Sequence, residues 1–131
     1  MPSRNIADCE PLLQEFWPKL QTWYEALFPG RELFLTCTCR SAEEQQEIFK
    51  KNTPGQILTR CDGIKNLSKH NYKPAKALDF AVKVAGVVQW RESYYLDIGT
   101  AIEDLGYEGK VRWGGYFSFK DYPHLEVKET V

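Results

Sequence analysis

The chain contains two histidines, His70 and His124, and each stands near a carboxylate that could help it bind a metal. Asp79 follows His70 nine positions later, and Asp121 precedes His124 by three. Two imidazoles and one carboxylate would leave a tetrahedral Zn²⁺ with one open position, which is the catalytic rather than the structural arrangement. These residues therefore predict a zinc site at His70, Asp79 and His124. The alternative is that both histidines are incidental.

The residues around Asp79 favour a role for its carboxylate as a metal ligand. It lies between Leu78 and Phe80 in a run that reads as a strand, so alternation places its side chain on the face opposite theirs. A carboxylate among apolar residues is costly to bury unless a metal, a cation or hydrogen-bond donors satisfy it. The other interpretation is a solvent-facing aspartate on a half-exposed strand.

The segment around His124 suits acid–base chemistry. Pro123 favours an extended chain, which predicts Asp121 in a turn and His124 at the start of a strand. Zinc lowers the pKa of a bound water to about 7, and a nearby carboxylate can take and return the proton. We expect Asp121 to be that base. Glu126 is one strand period beyond His124 and either orients its imidazole or is an exposed strand carboxylate.

Periodicity and turn residues predict the elements that position these groups. Ser41 and Glu44 form a potential capping box, which places Arg40 at a strand-to-helix junction on the rim of the sheet. Pro18 could split the first helix in two, and Gly106 is expected to end the last helix. The long polar stretch over 52–72 is typical of a functional loop. Helices are predicted over 8–28, 42–51 and 92–105, and strands over 32–39, 77–84, 87–90 and 124–127.

Composition limits the class of protein. The 131 residues predict one domain over 1–131, and a net charge of −1 gives no general case for nucleic acid or a membrane surface. We expect a monomer, made in the cytoplasm because the N-terminus lacks the apolar stretch of a signal peptide. The four cysteines are expected to be reduced, with Cys37 and Cys39 on one face of a strand as core residues. A cysteine-rich zinc site is the alternative.

Three segments together resemble a known family of zinc peptidases, which comprises D-alanyl-D-alanine carboxypeptidases, vancomycin-resistance dipeptidases and phage L-alanyl-D-glutamate endolysins. The resemblance implies that His70, Asp79 and His124 bind zinc and that Asp121 is the general base. An aspartate rather than a glutamate in that last place resembles the endolysin branch. The segments are Ser68-x-His70, Ala75-x-Ala77-x-Asp79, and Asp121-x-x-His124-x-Glu126 after Trp113-Gly114-Gly115.

The resemblance extends to substrate-binding residues. Arg40 and Gln45 match an arginine before a helix and a glutamine on it, so Arg40 is expected to bind a substrate carboxylate. The alternative for Arg40 is an ion pair with a glutamate of that helix. Ser68 either contacts the substrate backbone or caps the turn before His70. Ala75 replaces a family glycine, and the nine-residue spacing exceeds the usual seven, so two extra residues within 71–74 must bulge outward.

The family implies an α+β fold of the D-Ala-D-Ala carboxypeptidase and Hedgehog-like type. A small, mainly antiparallel sheet would carry the zinc site, with helices covering its other face. The implied reaction is hydrolysis of an amide in the peptidoglycan stem peptide, as in an L-alanyl-D-glutamate endopeptidase released at phage-mediated lysis. The alternatives are a D,D-carboxypeptidase or dipeptidase of the same family, or a non-catalytic, zinc-stabilised module that binds cell wall.

Overall fold

The protein is described by a computed structural model that covers residues 2–129. Residues 1, 130 and 131, which the predicted domain includes, lie outside the described residues. Over residues 2–129 the fold consists of three α-helices and a five-stranded sheet, joined by loops and short 3₁₀ turns. The helices are α1 (Pro11–Leu27), α2 (Ala42–Lys50) and α3 (Ile98–Asp104), and the strands are β1 (Arg31–Cys37), β2 (Ala77–Val84), β3 (Val87–Gln89), β4 (Val111–Trp113) and β5 (His124–Val127).

The sheet is antiparallel throughout and is built around β2. β1 pairs along one edge of β2, while β5 and β3 pair with the two halves of the other edge. β4 lies outside β5, which gives the order β1-β2-β5-β4. The expected α+β fold with a small antiparallel sheet is confirmed.

The core forms where helix α1 covers one face of the sheet. Leu78 and Phe80 of β2 are fully buried on this face, and Asp79 between them is not. The buried stripe of α1 repeats at three- and four-residue steps, as an amphipathic helix requires. Its fully buried members are Leu13, Phe16, Leu20 and Tyr24.

Helix α1 continues through Pro18, so the split that this proline could have caused does not occur. A proline inside a helix removes one backbone hydrogen bond, but the buried stripe on either side holds both halves against the sheet. None of the helices in the described part of the chain is long and apolar enough to cross a bilayer.

The region 92–105 differs from the single predicted helix. It begins with a 3₁₀ turn, Glu92–Tyr94, and α3 starts only at Ile98. The Tyr94 carbonyl accepts a hydrogen bond from the Tyr24 hydroxyl at 2.7 Å, and the Tyr95 hydroxyl donates to the Gln89 carbonyl at 2.7 Å. These two hydrogen bonds hold the segment out of a continuous α-helix, and local periodicity does not reveal them.

The N-terminus of α2 agrees with the prediction. The Ser41 hydroxyl accepts from the Glu44 amide at 3.1 Å, and the Glu44 carboxylate accepts from the Ser41 amide at 2.8 Å. This reciprocal capping box fixes where the helix begins. Arg40 is therefore held at a defined point between β1 and α2.

Candidate active site

The structure brings His70, Asp79 and His124 into direct contact. Nδ1 of His124 lies 3.0 Å from Oδ1 of Asp79, and Nε2 of His70 lies 3.3 Å from the same oxygen. Asp79 and His124 are cross-strand partners on β2 and β5. Both imidazoles thus converge on one carboxylate oxygen at the sheet face opposite the core.

Each histidine is oriented through its other ring nitrogen. Nδ1 of His70 lies 2.7 Å from the Thr38 carbonyl, to which it can only donate. Nε2 of His124 lies 2.9 Å from Oε1 of Glu126. These outer partners leave Nε2 of His70 and Nδ1 of His124 as the nitrogens that face Asp79. Histidine ligands of metals are commonly fixed in this way, so the donor set fits a zinc ion.

Glu126 is buried, with 7% of its surface exposed, and is not the exposed strand carboxylate that the alternative describes. Besides His124, it pairs with Lys69, whose Nζ lies 2.9 Å from Oε2. Burial raises the pKa of the Glu126 carboxyl, but the hydrogen bonds from His124 and Lys69 lower it by more, so its pKa is below the ordinary value. Glu126 is therefore an ionised acceptor for the His124 ring.

A short 3₁₀ turn over Lys69–Asn71 positions His70. The Ser68 hydroxyl accepts from the His70 amide at 3.3 Å, which caps this turn. The Asn71 side chain donates to the Arg40 carbonyl at 2.9 Å, and the Arg40 amide donates to the His70 carbonyl at 2.7 Å. The loop that carries His70 is thus fastened to the junction that carries Arg40.

The enlarged loop between His70 and Asp79 does not separate the two side chains. Ala75 at its end is fully buried and forms an isolated bridge with Cys9 near the N-terminus. The Ala75 amide donates to the Asp8 carbonyl at 2.8 Å, and the Lys76 amide donates to the Lys69 carbonyl at 2.9 Å. The N-terminal segment therefore anchors the far end of the loop.

The three central groups shift one another's protonation. Burial disfavours the imidazolium of His70, but the adjacent Asp79 outweighs this and raises its pKa to about 10. For His124, burial is likewise outweighed by the hydrogen bonds to Asp79 and Glu126, and its pKa rises to about 9. Burial alone would raise the pKa of Asp79, yet the two histidines hold it well below its ordinary value.

Asp121 lies beside this cluster, with Oδ2 3.9 Å from Nδ1 of His124. Its side chain is 52% exposed, so it borders both the cluster and solvent. The protein around the carboxyl nevertheless desolvates it and, together with the charge of Asp79, raises its pKa above the ordinary value. Gly114 holds the turn, because its carbonyl accepts from the Asp121 amide at 3.0 Å.

Arg40 faces Asp79 rather than solvent. Its Nη2 lies 3.7 Å from Oδ2 of Asp79, and its Nη1 donates to Oε1 of Gln45 at 2.7 Å. Gln45 is fully buried, and its amide also donates to the Cys61 carbonyl at 2.9 Å and the Thr59 hydroxyl at 3.1 Å. Gln45 therefore connects Arg40 to the long polar loop.

Sequence reasoning missed the position of Cys37. It is buried as expected, but its Sγ lies 3.4 Å from Nη2 of Arg40 and 3.8 Å from Nδ1 of His70. The pairing of β1 with β2 shifts between Leu35 and Cys37, so that Cys37 stands opposite Asp79. This bulge turns Cys37 from the core face to the site face, and alternation alone cannot reveal it. Cys39 lies beyond β1 and is half-buried.

The cluster and the sheet that carries it define a class of protein. Two imidazoles and a carboxylate, with a further carboxylate alongside, form the donor set of a metal-dependent hydrolase. A profile of the family described as D-alanyl-D-alanine carboxypeptidase, in the M15 group of peptidases, matches residues 62–127. The chain belongs to this peptidase family.

Two relatives support the assignment. The peptidoglycan L-alanyl-D-glutamate endopeptidase CwlK of Bacillus subtilis is 32% identical, over 92% of this chain and 74% of that protein. The crystal structure of the L-Ala D-Glu endopeptidase ChiX of Serratia marcescens superposes with a TM-score of 0.67 at 22% identity, covering 97% of this chain and 88% of that one. The similarity to ChiX shows that the two chains share a fold.

Proposed function

We propose that this protein is a zinc peptidase that hydrolyses the amide between L-alanine and D-glutamate in the peptidoglycan stem peptide. The convergence of His70 Nε2, His124 Nδ1 and Asp79 Oδ1, with Asp121 alongside, carries the proposal. The similarity to CwlK, an L-alanyl-D-glutamate endopeptidase that aligns with most of the chain, supports the choice of bond.

The residues proposed to hold zinc are His70, Asp79 and His124. When bound, zinc would polarise the substrate carbonyl and make water a stronger nucleophile. Thr38 and Glu126 hold the outer nitrogens of the two rings and so keep the ligand nitrogens directed at the site.

Asp121 is proposed as the general base. Its half-exposed carboxylate can reach a water molecule at the site, and its raised pKa makes it a better proton acceptor than an ordinary aspartate. It takes a proton from the attacking water and returns it to the leaving amine nitrogen. A module that merely binds cell wall would not require such a carboxylate.

Arg40 is proposed to bind a carboxylate of the substrate, because its guanidinium borders the site and offers paired donors. The buried Gln45 is proposed to position Arg40 rather than contact the substrate. Ser68 caps the turn before His70, which supports a structural role over a substrate contact.

A D,D-carboxypeptidase is the second candidate, because the description of the matched family names that activity. The endolysin-like setting, with release at phage-mediated lysis, and the monomeric state stay predictions.

Mass spectrometry of muropeptides after digestion of purified cell wall distinguishes these functions. The zinc-loaded protein should release fragments with a new amino-terminal D-glutamate, and its His124→Ala variant should release none. Release of free D-alanine instead would identify a carboxypeptidase. Intact muropeptides together with bound wall would contradict both and favour a binding module.

A further inference from the structure

A cleft of about 660 Å³ opens beside Asp121. One wall is the polar loop over 57–61, and the other contains Phe117 and Phe119. Arg112 of β4 and Glu126 of β5 also line it. A substrate held at the zinc ligands would extend into this cleft, because Asp121 lies beside the His124 ring and also lines the cleft.

The strand register places Arg112 on the face of the sheet that carries the site. It stands opposite Glu126, as Asp79 stands opposite His124. Cross-strand partners share a face, and residues two apart on β5 share one as well. The neighbours of Arg112 on β4, Val111 and Trp113, are buried on the core side.

The guanidinium of Arg112 is held in place while its donors stay available. Its Cζ lies 4.9 Å from the centroid of the Phe117 ring, and 49% of its side chain is exposed. Its Nη1 is 3.6 Å from Oε2 of Glu126, which is beyond hydrogen-bond distance. Within residues 2–129 this guanidinium makes no hydrogen bond.

Glu126 does not need Arg112 for its neutralisation. Its two oxygens are each 2.9 Å from a donor, Nε2 of His124 and Nζ of Lys69. The exposed Arg60 on the loop wall adds a second positive charge to the cleft. The cleft therefore contains the guanidinium of Arg112, which lies over the Phe117 ring and is not required to neutralise Glu126.

We propose that Arg112, which lies over the Phe117 ring, binds a carboxylate of the stem peptide and makes the enzyme selective for a carboxylate on one of the two residues that follow the cleaved bond. This inference rests on the proposed function and is separate from the role of Arg40, which borders Asp79. The carboxylate belongs either to D-glutamate or to diaminopimelate. Arginine suits it because a planar guanidinium can donate two parallel hydrogen bonds to a carboxylate.

Four synthetic stem peptides test the proposal. They carry D-glutamate or D-isoglutamine at the second position, and diaminopimelate or L-lysine at the third. The zinc-loaded wild type should cleave peptides with the bound carboxylate about tenfold better in kcat/KM than those without it. Whichever position shows the preference identifies the source of the carboxylate.

Arg112→Gln should abolish that preference by raising KM for the acidic peptides, with little change in kcat. Arg91→Gln is the matched control, because Arg91 is an exposed arginine outside the cleft, and it should behave as wild type. Zinc content should be equal in all three proteins, which excludes an indirect effect through Glu126 and His124.

Binding to zinc-loaded Asp121→Asn protein, measured by calorimetry with the same peptides, tests the subsite without cleavage. If this variant binds all four peptides equally, or if Arg112→Gln weakens all of them to the same extent, the proposal is wrong. If the acidic peptides bind selectively but the wild type cuts none, the subsite stands and the proposed function fails.

Discussion

At the scale of single residues, the site depends on one carboxylate oxygen that serves two imidazoles. Oδ1 of Asp79 lies within 3.3 Å of a nitrogen of His70 and of His124. In the absence of metal this arrangement favours protonated rings, whereas a metal requires them neutral. Protons and a bound zinc ion would therefore compete for the same atoms, and the Asp121 carboxylate lies within 4.8 Å of ligand atoms of Asp79 and His124.

Replacing Asp121 separates catalysis from metal binding. Asp121→Asn should lower kcat at least about 100-fold, because general acid–base catalysis contributes that much or more. Its zinc content, measured by atomic emission, should equal that of wild type. Asp97→Asn, at the start of α3, is the control and should keep full activity. Full hydrolysis by Asp121→Asn would overturn the assignment of the base.

Stability of the metal-free protein should fall as pH rises from about 6.5 to 10. The folded protein binds protons at His70 and His124 more tightly than the unfolded chain does, because their pKa values rise from 6.5 to about 10 and about 9. The contribution of the two histidines to the free energy of unfolding is complete below pH 6.5. It is lost as pH rises through their pKa values in the folded protein.

Urea unfolding in the presence of a chelator measures this dependence. The His124→Gln variant lacks one of the two histidines whose pKa is raised. Its free energy of unfolding should therefore decrease less steeply as pH rises. A free energy of unfolding that stays constant or rises over this pH range would contradict the ionised cluster.

At the scale of elements, local signals were predictable and long-range pairings were not. β2 and β5 were predicted with the observed limits, and the capping box of α2 was predicted from Ser41 and Glu44. These features depend on neighbours in the sequence. The three-residue strand β4 was missed, because its existence depends on pairing with β5.

The residues of the candidate site also fall into those that the sequence predicts and those that only tertiary pairing places. His70, Asp79, His124 and Asp121 were predicted to lie together from their residue types and spacing, and the structure places them within contact distance of one another, while their roles stay a prediction. Cys37 and Arg112 were not, because their places follow from a bulge in β1 and from the register of β4. Both are consequences of tertiary pairing that no local pattern encodes.

Loss of the cap on α2 should affect both stability and activity. Ser41→Ala removes the hydroxyl that accepts from the Glu44 amide, which typically costs about 1 kcal/mol. We also expect kcat/KM to fall several-fold, since the adjacent Arg40 is held by the same junction. Ser93→Ala, an exposed serine in a 3₁₀ turn, is the control for urea unfolding and peptide cleavage. Equal stability of the two variants would show that the cap is dispensable.

Gly114 limits the position of the turn that carries Asp121. A Cβ at this residue would lie 2.0 Å from the Asp121 carbonyl oxygen, so Gly114→Ala must displace that turn. We expect a cost of about 1–3 kcal/mol in stability and a larger loss in kcat than in zinc affinity. Gly55→Ala is the matched control, because nothing lies within 4 Å of its added carbon. A fully active Gly114→Ala would mean that the turn adjusts without moving the base.

At the scale of the whole molecule, zinc is expected to join parts of the chain that are far apart in sequence. The proposed ligands lie in the long loop, on β2 and on β5, so a bound ion would link all three. A ligand that binds only the folded state stabilises it in proportion to the logarithm of its concentration.

Thermal unfolding tests this linkage. Chelator should lower Tm by several degrees, and added zinc should restore it in a concentration-dependent way. His124→Ala, measured in parallel, should show no response to either treatment. If the Tm of the wild type does not change with added zinc or chelator, these residues do not bind the metal.

The alignment of the strands determines whether a metal ion could stabilise the chain while it folds. A slip of one residue in any pairing would exchange the two faces of that strand and send its polar group into the core. The native alignment of β2 with β5 places Asp79 opposite His124, so zinc binding would favour chains in which these two strands are correctly paired. Cys37 on β1 and Arg112 on β4 lie on the same face but are not among the proposed ligands, so the ion would stabilise the pairing of β2 with β5 and not that of the outer strands.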